Sequence, residues 1–158
     1  MSPKTITAKS PESSSATEAS APPKRQSHPT CRILVVDDDT VIRSLCSKVL
    51  IRSGYRVDMA DDGEAGWKVL HAVRSDPNSY DLLIADNHLP ILSGVELVKK
   101  LRAARMDLPV ILASGASPKI PECLCPAESL KLAAILPKPF SPDQLVQTVR
   151  EILHKAQP

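Results

Sequence analysis

Several short apolar runs in this chain each end on a polar residue. Ile33–Val36 runs into Asp37, Asp38 and Asp39, Asp81–Ala85 runs into Asp86, Leu108–Ala113 runs into Ser114, and Ala134–Leu136 leads through Pro137 to Lys138. Short apolar runs without a polar face are what strands buried on both sides look like. Between them apolar residues recur at helical spacing. Val41, Ile42, Leu45, Cys46, Val49 and Leu50 form one such stripe, stopped by Gly54. Ala65, Val69, Leu70 and Val73 form a second, and Val95, Val98 and Leu101 a third. Ser141-Pro142-Asp143-Gln144 carries an N-cap, a proline at the first helical position and a glutamine three after the cap. It opens a last helix with Leu145, Val149, Ile152 and Leu153 on its buried face. Tyr55, Val57 and Met59 alternate as a further strand, followed by the turn Asp61-Asp62-Gly63. Five strands alternating with helices predict an α/β fold, a doubly wound five-stranded parallel sheet with helices on both faces.

Such sheets carry their sites outside the carboxyl ends of the strands. The polar residues that end the runs are therefore expected side by side. Singly, each has an ordinary structural explanation. Asp39 or Thr40 can cap the next helix, a serine before glycine is a turn, and a lysine before proline is a solvated loop. Together they are harder to dismiss. Several carboxylates at one edge repel unless a cation sits among them. Oxygen donors with room for water and phosphate suit Mg²⁺. A lysine and a hydroxyl aimed at the same point suit a phosphoryl group. The chemistry that fits is Mg²⁺-assisted phosphoryl transfer to or from a carboxylate.

Two families use that chemistry. The stretch Ile33-Leu-Val-Val-Asp-Asp-Asp-Thr-Val41 is similar to the first motif of haloacid-dehalogenase-type phosphatases. In that alternative Asp37 is the nucleophile, Asp39 the general acid/base, and Ser114 and Lys138 the second and third motifs. The family needs a further acidic pair after another strand, however. Beyond Lys138 there are only Asp143 and Glu151, both in the last helix, and Asp86 is left without a role. From about Cys31 onward the chain resembles instead the receiver domain of two-component response regulators. The resemblance runs in order through "ILVVDDD", "ADDGEAGWKVL", "DLLIADNHLPILSGVELVKKLR", "PVILASG" and "LPKPF".

The resemblance implies a flavodoxin-like receiver fold over residues 31–158, with strand order 2-1-3-4-5. It makes Asp86 the phospho-accepting nucleophile. Asp37, Asp38, Asp86 and the backbone carbonyl of His88 become Mg²⁺ ligands, Lys138 the contact to the acyl phosphate, and Ser114 the hydroxyl that meets a phosphoryl oxygen. It also implies a cis bond between Lys138 and Pro139. The implied partners are a sensor histidine kinase or phosphotransfer protein and an unknown downstream protein, with a phosphorylation-dependent dimer among the assemblies. Such a domain catalyses only its own phosphorylation and dephosphorylation. Ile135 stands where the family usually has a switching aromatic. A pseudo-receiver that binds without being phosphorylated is the alternative this leaves; the complete set of Asp37, Asp38, Asp86, Ser114 and Lys138 argues against it.

Composition sets the remaining expectations. Residues 1–30 hold seven serines and five prolines and almost no large apolar side chains, so a disordered Ser/Pro-rich tail is predicted there. The other 128 residues carry sixteen charges of each sign, which gives no electrostatic footprint for nucleic acid. No apolar run approaches membrane-spanning length and no secretory signal is evident, so a cytoplasmic location without membrane partners is expected. Cys46 reads as a buried hydrophobe, and Cys123 and Cys125 have the wrong spacing for a zinc site. Three prolines, Pro118, Pro121 and Pro126, predict a short helix starting near Pro126. The chain closes one helix after Lys138, which predicts a single-domain regulator or phosphorelay shuttle acting through protein contact.

Overall fold

The computed structural model describes residues 30–115 and 130–156. Its elements run β1 (Arg32–Val36), α1 (Thr40–Arg52), β2 (Arg56–Ala60), α2 (Gly63–Ala72), β3 (Leu82–Asp86), α3 (Gly94–Ala103), β4 (Val110–Ser114), β5 (Ala134–Pro137) and α4 (Pro142–Ala156). The strands form one parallel sheet in the order β2-β1-β3-β4-β5, as the resemblance implied. The helix predicted near Pro126 and the cysteines Cys123 and Cys125 lie outside the described residues, as do residues 1–29 of the predicted tail.

Alternation along each strand divides the core into two layers. Leu34, Val36, Leu83, Ala85, Val110 and Leu112 pack with Leu70 of α2 and with Leu97, Val98 and Leu101 of α3. The intervening Ile33, Val35, Leu82, Ile84, Ile111 and Leu136 pack with Cys46 and Leu50 of α1 and with Leu145, Val149 and Leu153 of α4. The central strands are thus buried on both faces, which is why they read as unbroken apolar runs. Pro137 sits on the edge strand β5 opposite Ser114, where a missing N–H is tolerated.

One reading needs correction. Val41 and Leu45 do not belong to the buried stripe of α1; they are 75 % and 47 % exposed. The stripe is carried by Cys46, Ser47 and Leu50, with Ile42 and Val49 packed beside it. Val41 and Leu45 each stand one position, about 100° of helix rotation, from that stripe. In strand β2, Met59 is likewise half exposed, because β2 is the other edge of the sheet. Strand β3 extends one residue further than the apolar run, so Asp86 is its last residue.

The end of the sheet opposite the polar strand ends is fastened by a separate network. Asp58 of β2 accepts hydrogen bonds from Arg32 Nε at 2.9 Å and from the Tyr80 hydroxyl at 2.8 Å. The Arg32 guanidinium also lies over the Tyr80 ring, 4.4 Å from its centroid. Burial works to raise the Asp58 carboxyl, but the Tyr80 and Arg32 hydrogen bonds and the Arg32 and Arg56 charges outweigh it and hold it below the usual carboxylate range. A depressed carboxyl contributes stability above its unfolded pKa and loses it as pH falls through the folded value. Asp58→Asn is therefore expected to cost about 0.5–1 kcal/mol near neutral pH, the side chain being about half exposed. Denaturant unfolding across pH checks this: the difference from the unaltered chain should shrink under acid conditions, and a difference constant with pH would contradict the assignment.

Candidate functional site

The carboxyl ends of β1, β3, β4 and β5 bring Asp37, Asp86, Ser114 and Lys138 to one edge of the sheet. The register puts Val36 beside Ala85, Asp86 beside Ala113, and Ser114 beside Pro137. Backbone bonds carry this alignment one residue past the strands. Asn87 N–H donates to Ala113 O at 2.8 Å, and Lys138 N–H to Ser114 O at 2.8 Å. The Lys138–Pro139 bond is cis, as expected from the resemblance.

The three aspartates after β1 have different surroundings. Asp37 is buried; its Oδ1 accepts from the Asp39 N–H at 2.9 Å and its Oδ2 from Lys138 Nζ at 2.9 Å. Asp38 is exposed. Asp39 caps α1, accepting from the N–H groups of Val41 at 2.8 Å and Ile42 at 3.3 Å. That role ties its side chain to the helix and takes it away from acid/base work. Asp86 is 6 % exposed, and its Oδ1 accepts from the His88 N–H at 3.3 Å. One side-chain oxygen from each of Asp37, Asp38 and Asp86 lies within 4.8 Å of the others.

Lys138 joins two of these carboxylates. Its Nζ is 2.9 Å from Asp37 Oδ2 and 3.4 Å from Asp86 Oδ2, with the side chain only 17 % exposed. Burial would lower the ammonium's pKa, but the hydrogen bond to Asp37 and the charges of Asp37 and Asp86 outweigh it and hold it above the usual lysine value. The lysine is thus kept charged beside Asp86. Three carboxylates and one ammonium still leave the site formally doubly negative. An all-oxygen donor set with that surplus fits a hard divalent cation such as Mg²⁺.

Two supports were not singled out in the sequence. Arg43 donates to the Asp37 carbonyl at 2.6 Å, fixing the turn that carries the acidic pair. Asp62, read only as a turn residue, caps α2 by accepting from the Ala65 N–H at 2.7 Å. The Asp-Gly-Glu run into an apolar stripe is a recognisable cap signal; Arg43, at the end of the first turn of α1, has none. His88 is exposed and contributes its N–H to Asp86.

Comparison with known proteins agrees with this geometry. Residues 33–150 match the model of the response regulator receiver domain. The chain is 34 % identical over 128 residues to the alkaline phosphatase synthesis transcriptional regulatory protein PhoP of Bacillus subtilis, covering 80 % of this chain and 50 % of that protein. It is 29 % identical to the transcriptional regulatory protein FixJ of Bradyrhizobium diazoefficiens, covering 80 % and 58 %. The chain thus spans about half the length of the curated relatives it matches. Among solved structures, chemotaxis response regulator CheY4 of Vibrio cholerae superposes with a TM-score of 0.65 at 27 % identity, covering 78 % of this chain and 98 % of that one. The receiver domain protein of Methanospirillum hungatei superposes with a TM-score of 0.69 at 26 % identity, covering 80 % and 95 %.

The surplus negative charge makes a specific demand on stability. Millimolar Mg²⁺ is expected to raise the melting temperature of the unaltered chain by about 2–4 °C, since a ligand that binds only the folded state stabilises it. Asp38→Asn should raise the melting temperature without Mg²⁺, by relieving repulsion, and largely abolish the Mg²⁺-dependent rise. A rise that persists in Asp38→Asn would remove Asp38 from the ligand set.

Proposed function

The chain belongs to the response regulator receiver domain family, and we propose on that premise that Asp86 accepts a phosphoryl group from a sensor histidine kinase or phosphotransfer protein. The observation that carries the reading is the placement of a buried, charged Lys138 between Asp37 and Asp86. The carboxylate that lysine reaches beyond Asp37 is Asp86, at the end of β3 beside β1 in the sheet, whose side chain also accepts from the His88 N–H.

In this reading an Asp86 oxygen attacks phosphorus in line. A new O–P bond forms, and the P–N bond of a phosphohistidine, or the P–O bond of a small acyl phosphate, breaks to release the leaving group with its electron pair. Asp37, Asp38, Asp86 and the His88 carbonyl would hold Mg²⁺, which when bound neutralises charge on the phosphoryl oxygens. Lys138, beside Asp86, would meet a phosphoryl oxygen, and its raised pKa keeps it a cation. The product oxygens offer acceptors to the Ser114 hydroxyl at the end of β4. Drawing Ser114 inward biases the β4–β5 side of the sheet, and with it the face a partner reads. Water later cleaves the acyl phosphate and restores the Asp86 carboxylate. The protein acts on no other substrate in this scheme; it is a phospho-acceptor that promotes its own modification and reset.

PhoP and FixJ are named as transcriptional regulators and are longer than the matched region. The expectation that nucleic acid plays no part therefore extends only to the evenly charged residues 31–158 and not to the protein as a whole. Among the described residues, no helix is long and apolar enough to cross a membrane.

Incubation with acetyl phosphate and Mg²⁺ is expected to give a hydroxylamine-labile adduct that is lost in Asp86→Asn and on chelation of the metal. Lys138→Ala should slow its formation by about 100-fold, the usual cost of removing one charge-stabilising donor. Label that survives Asp86→Asn and vanishes in Asp37→Asn would favour the phosphatase alternative. No adduct at all would favour a pseudo-receiver.

A further inference from the structure

At the amino ends of the strands, away from the acidic pocket, lies a cavity of about 590 Å³. Cys31 before β1, Asp81 before β3 and Pro109 before β4 stand on its lining. The length of β3, about 16 Å for five residues, separates it from Asp86. Two arginines hold its walls. The Arg32 guanidinium donates to Asn78 O at 3.0 Å, and the Arg32 N–H to Asp81 Oδ2 at 2.7 Å, which fixes the segment between α2 and β3. The Arg102 guanidinium donates to Met106 O at 2.6 Å and to Leu108 O at 3.0 Å, which fixes the segment between α3 and β4. The cavity is therefore preformed, and its volume falls within the range of small-molecule sites.

Its lining combines apolar and cationic side chains. Val73, Met106 and Leu108 are half-buried and pack against the core on the α2 and α3 face of the sheet. Arg74 and Arg105 are exposed. Arg105 is there at a cost. Helix α3 ends in two backward bonds, Arg105 N–H to Arg102 O and Met106 N–H to Leu101 O, both 3.0 Å. In a helix ending of this kind the first residue past the cap takes a left-handed backbone and is usually glycine. Among the described residues, three non-glycine residues hold a positive φ: Ile91 at +69°, Arg105 at +57° and Lys131 at +47°. Of the three, Arg105 is the one on the cavity lining. Glycine would end the helix more easily; what arginine adds is its side chain.

Charge pairing leaves the two arginines uncommitted. The carboxylates on the lining have other donors: Asp81 accepts from the Arg32 N–H, and Asp107 faces Lys131 Nζ at 3.7 Å. Among the described residues, neither Arg74 nor Arg105 forms a salt bridge, and Arg74 meets the His71 ring nitrogen. We propose that this cavity binds a small amphiphilic anion. Its carboxylate or phosphate head is held by Arg74 and Arg105, and its apolar body lies against Val73, Met106 and Leu108. Guanidinium groups match the paired oxygens of either head. An aliphatic cation would meet two like charges there, and an anion without an apolar body would leave the apolar wall to water. The site is separate from the phosphoryl chemistry and requires nothing of Asp86.

The test is an NMR titration of the isotopically labelled full chain, without Mg²⁺, against octanoate, octyl phosphate, octylamine and inorganic phosphate. Octanoate, octyl phosphate or both should give saturable amide shifts within residues 73–81 and 105–109. Octylamine, with the wrong charge, and inorganic phosphate, with no apolar body, should give none there. Tighter binding of octanoate supports the proposal with a carboxylate head, and tighter binding of octyl phosphate supports it with a phosphate head. Arg105→Gly keeps the helix ending and removes the side chain. Its melting temperature should rise by about 2–4 °C as the left-handed strain is relieved, while its affinity for the anion falls about tenfold with the loss of a charge-assisted contact. Arg74→Gln should lose affinity to a similar extent without that rise. The proposal is overturned by the absence of saturable shifts with both anions, by shifts confined to residues outside these walls, by equal binding of octylamine, or by unchanged affinity in either variant.

Discussion

The ammonium of Lys138, 2.9 Å from one buried carboxylate and 3.4 Å from another, is the interaction around which this site is arranged. It joins residues 101 positions apart in sequence, just past β1 and just past β5. It is also what allows Asp37 and Asp86 to approach each other in a buried place, where like charges would otherwise repel. The sheet order explains how the contact can form. With β3 and β4 between β1 and β5, the ends of four strands converge and a lysine leaving the edge strand can reach across them. The bottom of the sheet needs no such compromise, and there a conventional network of Arg32, Asp58 and Tyr80 closes it.

Much of this was legible in the sequence because strands buried on both faces cannot carry polar residues until they end. The runs before Asp37, Asp86, Ser114 and Lys138 therefore marked both the strands and the site. The capping sequence at Ser141 was equally plain: its hydroxyl accepts from the Gln144 N–H, and the Gln144 side chain returns to the Ser141 N–H. Asp39 was also separable from its neighbours, since a carboxylate just before a helix has a structural use. Less legible was α1, where apolar residues on adjacent stripes blurred which face is buried. Val41 and Leu45 fit a helical pattern by type and face solvent in fact. Long polar side chains were the least legible. Arg43 reaches the Asp37 carbonyl, and Arg102 reaches the carbonyls of Met106, Leu108 and Leu130; no spacing rule selects an arginine by the carbonyl it will find.

Val41, the misread apolar residue at the start of α1, and Ile91, in the loop after β3, lie on the segments that follow Asp38 and Asp86. Sequence patterning assigns large apolar residues to a core by default, and these two exposed positions are where that default fails. Ile91 shows the conflict within one residue. Its side chain is apolar, its backbone favours glycine, and its surroundings are solvent. Local preference is overruled there by the two anchors of the loop, Leu89 and the Ser93 cap, which also hold Asp86 in place through the Asn87 and Gly94 backbone. Asp86 and the strained turn are in this sense parts of one anchored segment.

The central claim is the identity of the reactive carboxylate. Borohydride reduction of the freshly phosphorylated chain, followed by peptide mass spectrometry, converts an aspartyl phosphate to homoserine and so records its position permanently. The account predicts homoserine at position 86 and aspartate retained at 37, 38 and 39. Homoserine at position 37 with Asp86 unchanged would contradict it.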